Sequence, residues 1–280
     1  MTYPTVLLHV DAHPRMDERI DHAARLARRF ESHLVGVAAA DRSLFGMSVA
    51  TGFAGTQRLG EAVEACHAAA LLRARHFRER AETLNLKSFE AVVDDRDDVE
   101  ALVRRSHCSD LLLVAQPDPA WPEAARAREQ LDQVLLHGVA PTLVVPHGGA
   151  LPAADTRLLL AWDGSAGAAR AAVGALPLLR RASKVHLVRC DTPVDIERGV
   201  EPAELELARE WLARHGVRAQ TWLEPTGLDV GAALLARAAA LDVDLLVMGA
   251  WGHSRLAERV LGGVTRTILA SATVPVLMSH

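Results

Sequence analysis

The chain has 280 residues, half of them hydrophobic and 24% charged, with a formal net charge of −4. That length suits two domains of about 140 residues, each able to bury its own core, and the mild acidity offers no basic field for nucleic acid. No run of about eighteen apolar residues occurs; residues 231–249 come nearest but are interrupted by Arg237, Asp242 and Asp244, so no membrane span is expected.

From the N-terminus, residues 5–14 (TVLLHVDAHP) open with an apolar run that reads as a strand ending near Asp11. Neither a basic segment nor a cleavage site precedes Asp11, so no secretory signal is expected. Arginines 25, 28 and 29, and later 73, 75, 78 and 80, recur among acids on helical stretches and read as solvated faces. Residues 43–60 (SLFGMSVATGFAGTQRLG) are glycine-rich, mildly apolar and without period. Long loops of this kind are often functional, and the segment is expected to be mobile until it covers a ligand or partner, the alternative being a plain extension of the next helix. Residues 110–118 (DLLLVAQPD) and 140–148 (APTLVVPHG) supply two further strands.

The pattern then repeats. RLLLAWDGSA (157–166) parallels TVLLHVDAHP with Asp163 in register with Asp11, DLLVMGAWG (244–252) parallels DLLLVAQPD, and VPVLMSH (274–280) parallels APTLVVPHG. In the second copy, strands are expected at 157–163, 184–190, 218–224, 244–249 and 274–278, and helices at 166–181, 202–215, 229–241 and 264–270. Such alternation predicts two tandem doubly wound α/β domains, each a five-stranded, mostly parallel sheet with helices on both faces. The expected bounds are 1–147 and 154–280, joined by the Gly148-Gly149-Ala150-Leu151-Pro152-Ala153 linker. Cys66, Cys108 and Cys190 are odd in number and lack Cys-x-x-Cys spacing, as in reduced cytoplasmic thiols.

The most informative stretch lies between the last two strands. Gly249, Gly252 and Gly262 are spaced Gly-x2-Gly-x9-Gly after a buried strand, and a helical pattern opens at Val264-Thr265. Glycines there let backbone N–H groups approach an anion, and the helix N-terminus adds positive partial charge. The place suits a phosphate. The Gly-x4-Gly-Lys-Ser/Thr loop of P-loop nucleotidases is absent, as is a Gly-x-Ser-x-Gly nucleophile. His9 and His13 lack a completing acid or cysteine at metal-ligand spacing, so no metal site is expected.

The glycine spacing, its flanking strands and the duplicated pattern resemble the universal stress protein family in a tandem, two-domain form. That family has an ATP-binding branch, and the resemblance implies ATP or a related adenine nucleotide in the second domain, with Mg²⁺ arriving only through the nucleotide. It implies that Asp163 accepts from ribose hydroxyls, that Cys190 contacts the base through its main chain, and that Met248 and Gly249 lie beside the nucleotide. Gly252, His253, Gly262, Gly263, Val264 and Thr265 would cradle the phosphates, Arg255 and Arg259 being nearby charges that read equally as solvent-facing. Gly263 stands where the family usually has Ser or Thr. An N-capping role is the competing reading for Asp163 and Ser165. The family also implies that the last strands of the two domains pair as an intramolecular pseudo-dimer, with a homodimer as a further step.

The first domain has Gln116-Pro117-Asp118-Pro119 after its fourth strand and Arg128-Glu129 where the second has glycines, so its site is expected to be degenerate. The function expected is a cytoplasmic, non-enzymatic stress-response protein working as a nucleotide-linked module. One alternative is an interaction protein that uses residues 43–60 without nucleotide. A slow ATPase is the other.

Overall fold

The computed structural model describes residues 2–40, 56–146, 156–193, 203–227, 229–250 and 262–280. The predicted 148–153 linker lies outside the described residues, as do Gly252, His253, Arg255 and Arg259. Of the 43–60 segment, residues 56–60 begin a helix and the others lie outside. The chain forms two compact units, one from Thr2–Val114 and Glu129–Ala140, the other from Ala115–Arg128 and Pro141–His280.

In the N-terminal unit, β1 (Thr5–His9), β2 (His33–Ala39), β3 (Phe89–Asp94) and β4 (Leu111–Ala115) run parallel in the order β3-β2-β1-β4. The inner strands are continuous apolar runs because helices cover both faces of a doubly wound sheet. Helix α1 (Met16–Phe30) buries Ile20, Ala23, Ala24, Ala27 and Phe30, a stripe at helical spacing. It ends with Glu31 in the left-handed region at φ 56°. Helix α2 (Thr56–Thr83) buries Ala70, Ala74, Phe77 and Ala81. Helix α3 (Asp98–Ser106) is capped by Asp97, whose side chain accepts from Glu100 N–H, and α4 (Ala124–His137) buries Leu131, Val134 and Leu135.

The C-terminal unit holds the complete second repeat. Its strands β6 (Arg157–Ala161), β7 (Lys184–Asp191), β8 (Ala219–Pro225), β9 (Leu245–Gly249) and β10 (Val276–Ser279) are all parallel, in the order β8-β7-β6-β9-β10. The order reverses beside β6, and right-handed crossovers then put helices on opposite faces. Those helices are α5 (Ala166–Leu179), α6 (Ala203–Arg214), α7 (Val230–Ala240) and α8 (Gly263–Ser271). Beyond β10 lies β5 (Thr142–Val145), the last strand of the first repeat. It pairs antiparallel to β10 with Leu143 opposite Leu277. The last strands of the two repeats therefore pair within one chain.

One device recurs in both repeats. The acid before each fourth strand turns its carboxylate to the first strand: Asp110 accepts from Thr5 N–H at 2.8 Å and Asp244 from Arg157 N–H at 2.7 Å. No helix among the described residues is long and apolar enough to cross a membrane.

Candidate functional site

A cleft opens over the carboxyl ends of β6, β7 and β9, at the point where the strand order reverses. It is lined by Ala161, Trp162, Asp163, Val188, Cys190, Val230, Leu234, Met248, Gly249, Val264 and Thr265. Its walls are apolar apart from Asp163 at the β6 end and the first turn of α8. An apolar cleft with a few convergent polar groups suits a small ligand.

Local chemistry sets each wall. Gly164 has φ +75°, so the Asp163-Gly164-Ser165 turn enters the left-handed region that glycine tolerates. Asp163 accepts from Ser165 N–H at 2.9 Å, and the Ser165 hydroxyl accepts from Ala168 N–H as the N-cap of α5. The capping reading thus belongs to Ser165. Asp163 stays exposed on the rim of the cleft. At the end of β7, burial pushes the Cys190 thiol up to about 11, with the adjacent Asp191 acting the same way. It is a neutral, half-buried wall rather than a thiolate. Beside it Arg189, almost wholly buried, donates to Asp191 at 2.6 Å.

The glycines divide in role. A β-carbon on Gly249 would lie 2.6 Å from Ala168 N and 2.7 Å from the Gly167 carbonyl carbon, so the start of α5 packs against bare backbone there. Gly249 lines the cleft, but its lack of a side chain is demanded by helix packing. Gly262 is the N-cap of α8 at φ −56°, ψ 148°, an extended conformation open to any residue. Gly263 faces open space, and a β-carbon at that position would meet nothing within 4 Å. Thr265 is 1% exposed, with its side chain turned into the fold.

Of the residues expected at the site, Asp163, Cys190, Met248, Gly249, Val264 and Thr265 line one cleft, and Gly262 and Gly263 begin the helix that closes it. The sequence reading missed Ala161, Trp162, Val188, Val230 and Leu234. Two signals were available: Trp162 precedes Asp163, and Val230 and Leu234 stand four apart on one face of α7.

The matching place in the first repeat is built differently. Arg19 of α1 is 7% exposed and clamps Asp11 with both terminal nitrogens, Nη1 donating to Oδ2 at 2.8 Å, while His13 N–H donates to Oδ1 at 2.8 Å. Burial works against the Asp11 charge, yet Arg19, His9 and these hydrogen bonds hold its carboxyl below the usual range. His9 Nε2 pairs with Asp98 at 2.9 Å, and Gln130 donates to the other Asp98 oxygen at 3.1 Å. Burial alone would lower the His9 pKa, but Asp98 and Asp11 outweigh it and raise it. Arg128 and Glu129, which align with the glycines, fall inside α4. That helix has already begun at Ala124, so no helix N-terminus is presented at those positions. Among the described residues, no group of three or more His, Cys, Asp or Glu could hold a metal ion.

Fold and cleft together define a tandem, doubly wound α/β protein with its candidate site at a switch point. Residues 156–280, the second repeat, match the model of the Universal stress protein family. No curated protein matches the chain by sequence. Among solved structures, a universal stress protein from Archaeoglobus fulgidus DSM 4304 superposes with a TM-score of 0.72 at 15% identity, covering 98% of this chain and 94% of its own. A functionally unknown protein from Pseudomonas aeruginosa PAO1 superposes with a TM-score of 0.62 at 15% identity, over 98% and 92%. At these identities the likeness extends to the fold, which is shared over nearly the whole chain.

Proposed function

We propose that the second repeat binds an adenine nucleotide, ATP or a close relative, and that the protein works in the stress response as a nucleotide-linked binding module. The carrying observation is the cleft itself. Val188, Leu234 and Met248 offer an apolar slot for a base, Asp163 stands on the rim where ribose hydroxyls would donate, and α8 begins at the far wall. A helix start supplies unsatisfied N–H groups and positive partial charge, the environment a phosphate requires. A bound nucleotide would bring its own Mg²⁺.

The first repeat, on this reading, takes no nucleotide. Arg19 uses both Asp11 oxygens that hydroxyls would need, and α4 runs through the place where a phosphate loop would lie. Calorimetric titration of the intact chain with ATP tests both parts, the expected stoichiometry being near one. Two equal sites would refute the asymmetry and no binding would refute the nucleotide reading. Mass spectrometry of protein purified without added nucleotide should find the ligand that co-elutes.

A further inference from the structure

The helix that closes the cleft is short, nine residues from Gly263 to Ser271, and a helix of that length is marginal on its own. Its position depends on what holds its ends. The last carbonyls of any helix lack partners within it. Here Ala272 leaves in an extended conformation (φ −65°, ψ 131°) without a left-handed cap, and no basic residue lies in the last turn. A different group supplies the cap. Gln116, 5% exposed, donates its side-chain amide to Leu269 O at 2.8 Å. Its own main chain is fixed, since Gln116 N–H donates to Val145 O at 2.8 Å.

Gln116 belongs to the first repeat, at the place where the second repeat has Ala250, whose N–H likewise donates to the last strand, at Ser279 O. A residue that would stand beside a ligand loop in its own repeat is thus turned to the C-terminal end of the other repeat's helix. We propose that Gln116 is a positioning residue for the second-repeat site: by capping α8 at Leu269 it fixes where the first turn of that helix, with Gly262, Gly263, Val264 and Thr265, meets the ligand. The proposal rests on the nucleotide reading above. It makes the ligand site of one repeat dependent on a side chain of the other.

The test uses the full chain carrying Gln116→Met, which keeps length and volume but removes the donor, with ATP and adenosine as probes. Losing one net hydrogen bond of about 1 kcal/mol corresponds to about fivefold. ATP should weaken by about that factor, adenosine should bind as before, and hydrogen exchange of the α8 amides should accelerate. If the methionine variant does not fold, Gln116→Glu keeps the shape while setting an acceptor against the Leu269 carbonyl, and the same split is expected. Equal weakening of both probes would reduce Gln116 to a general stabiliser, and unchanged α8 exchange would show that it does not fix the helix; either overturns the proposal. If the unaltered chain binds neither probe, the nucleotide reading falls. The exchange comparison then decides alone whether Gln116 holds α8.

Discussion

Asp11 and Asp163 occupy the same register in the two repeats, and the structure gives their removal opposite consequences. Asp11→Asn takes a charge from a pair in which Arg19 is 9% and Asp11 17% exposed at the side chain. Breaking a buried pair by removing one partner costs 3–5 kcal/mol, and the residual exposure of Asp11 places this case at about 3 kcal/mol. At roughly 3 °C per kcal/mol, the transition of the N-terminal unit should fall by about 10 °C. Asp163→Asn keeps the bond to Ser165 N–H on an exposed turn and should change stability by less than about 0.5 kcal/mol. It should instead weaken ATP by at least about tenfold, the worth of a hydrogen bond to a charged group. Scanning calorimetry and titration of both variants at neutral pH measure the contrast. The pH dependence has a definite sign. Because the folded Asp11 pKa is depressed, its contribution is complete above the unfolded value near 3.9 and is lost as pH falls through the folded one. The stability gap between Asp11→Asn and the unaltered chain should therefore close in acid. Equal destabilisation by the two variants, or a gap that persists once Asp11 is protonated, would refute the reasoning.

Three other outcomes follow from the site. Gly263→Ser meets open space at its β-carbon and restores the hydroxyl that the family usually carries, so ATP affinity should rise by about fivefold, the worth of one net hydrogen bond, as read by titration. Gly249→Ala would drive a methyl into the backbone of Gly167 and Ala168, and overpacking of this kind costs about 1–3 kcal/mol in chemical denaturation. Cys190, with its thiol pushed up to about 11, should alkylate far more slowly at pH 7 than the exposed Cys108, as followed by mass spectrometry of iodoacetamide adducts.

Much of this architecture was legible in the sequence because its signals are local. Apolar runs after an acid mark buried strands, and the duplicated pattern marks the repeat. Asp163, Met248 and Thr265 could be placed near one another because strand ends and the following helix starts converge in a doubly wound sheet. What could not be read depends on contacts distant in sequence. Arg19 looks like one more arginine on a mixed-charge helix until the fold sets it against Asp11. Gln116 looks like the residue of a degraded loop until its partner is found at Leu269. The glycines misled in a different way. Spacing reveals that glycine is present but not what excludes the side chain: for Gly249 it is the start of α5, and Gly262 adopts a conformation that other residues also reach.

The antiparallel seating of β5 on β10 also bears on the order in which the molecule can be assembled during synthesis. Residues 115–128 and 141–146 are made well before the partners they need, because β10 and Leu269 follow only after nearly all of the second repeat. At 5–20 residues per second, that interval is on the order of ten seconds. Through it, Leu143, Val144 and Val145, which are buried in the finished fold, have no β10 to join. The edge of β5 that takes β10 thus stays open in the nascent chain, and closure of the C-terminal unit is a late event gated by the arrival of Val276–Ser279.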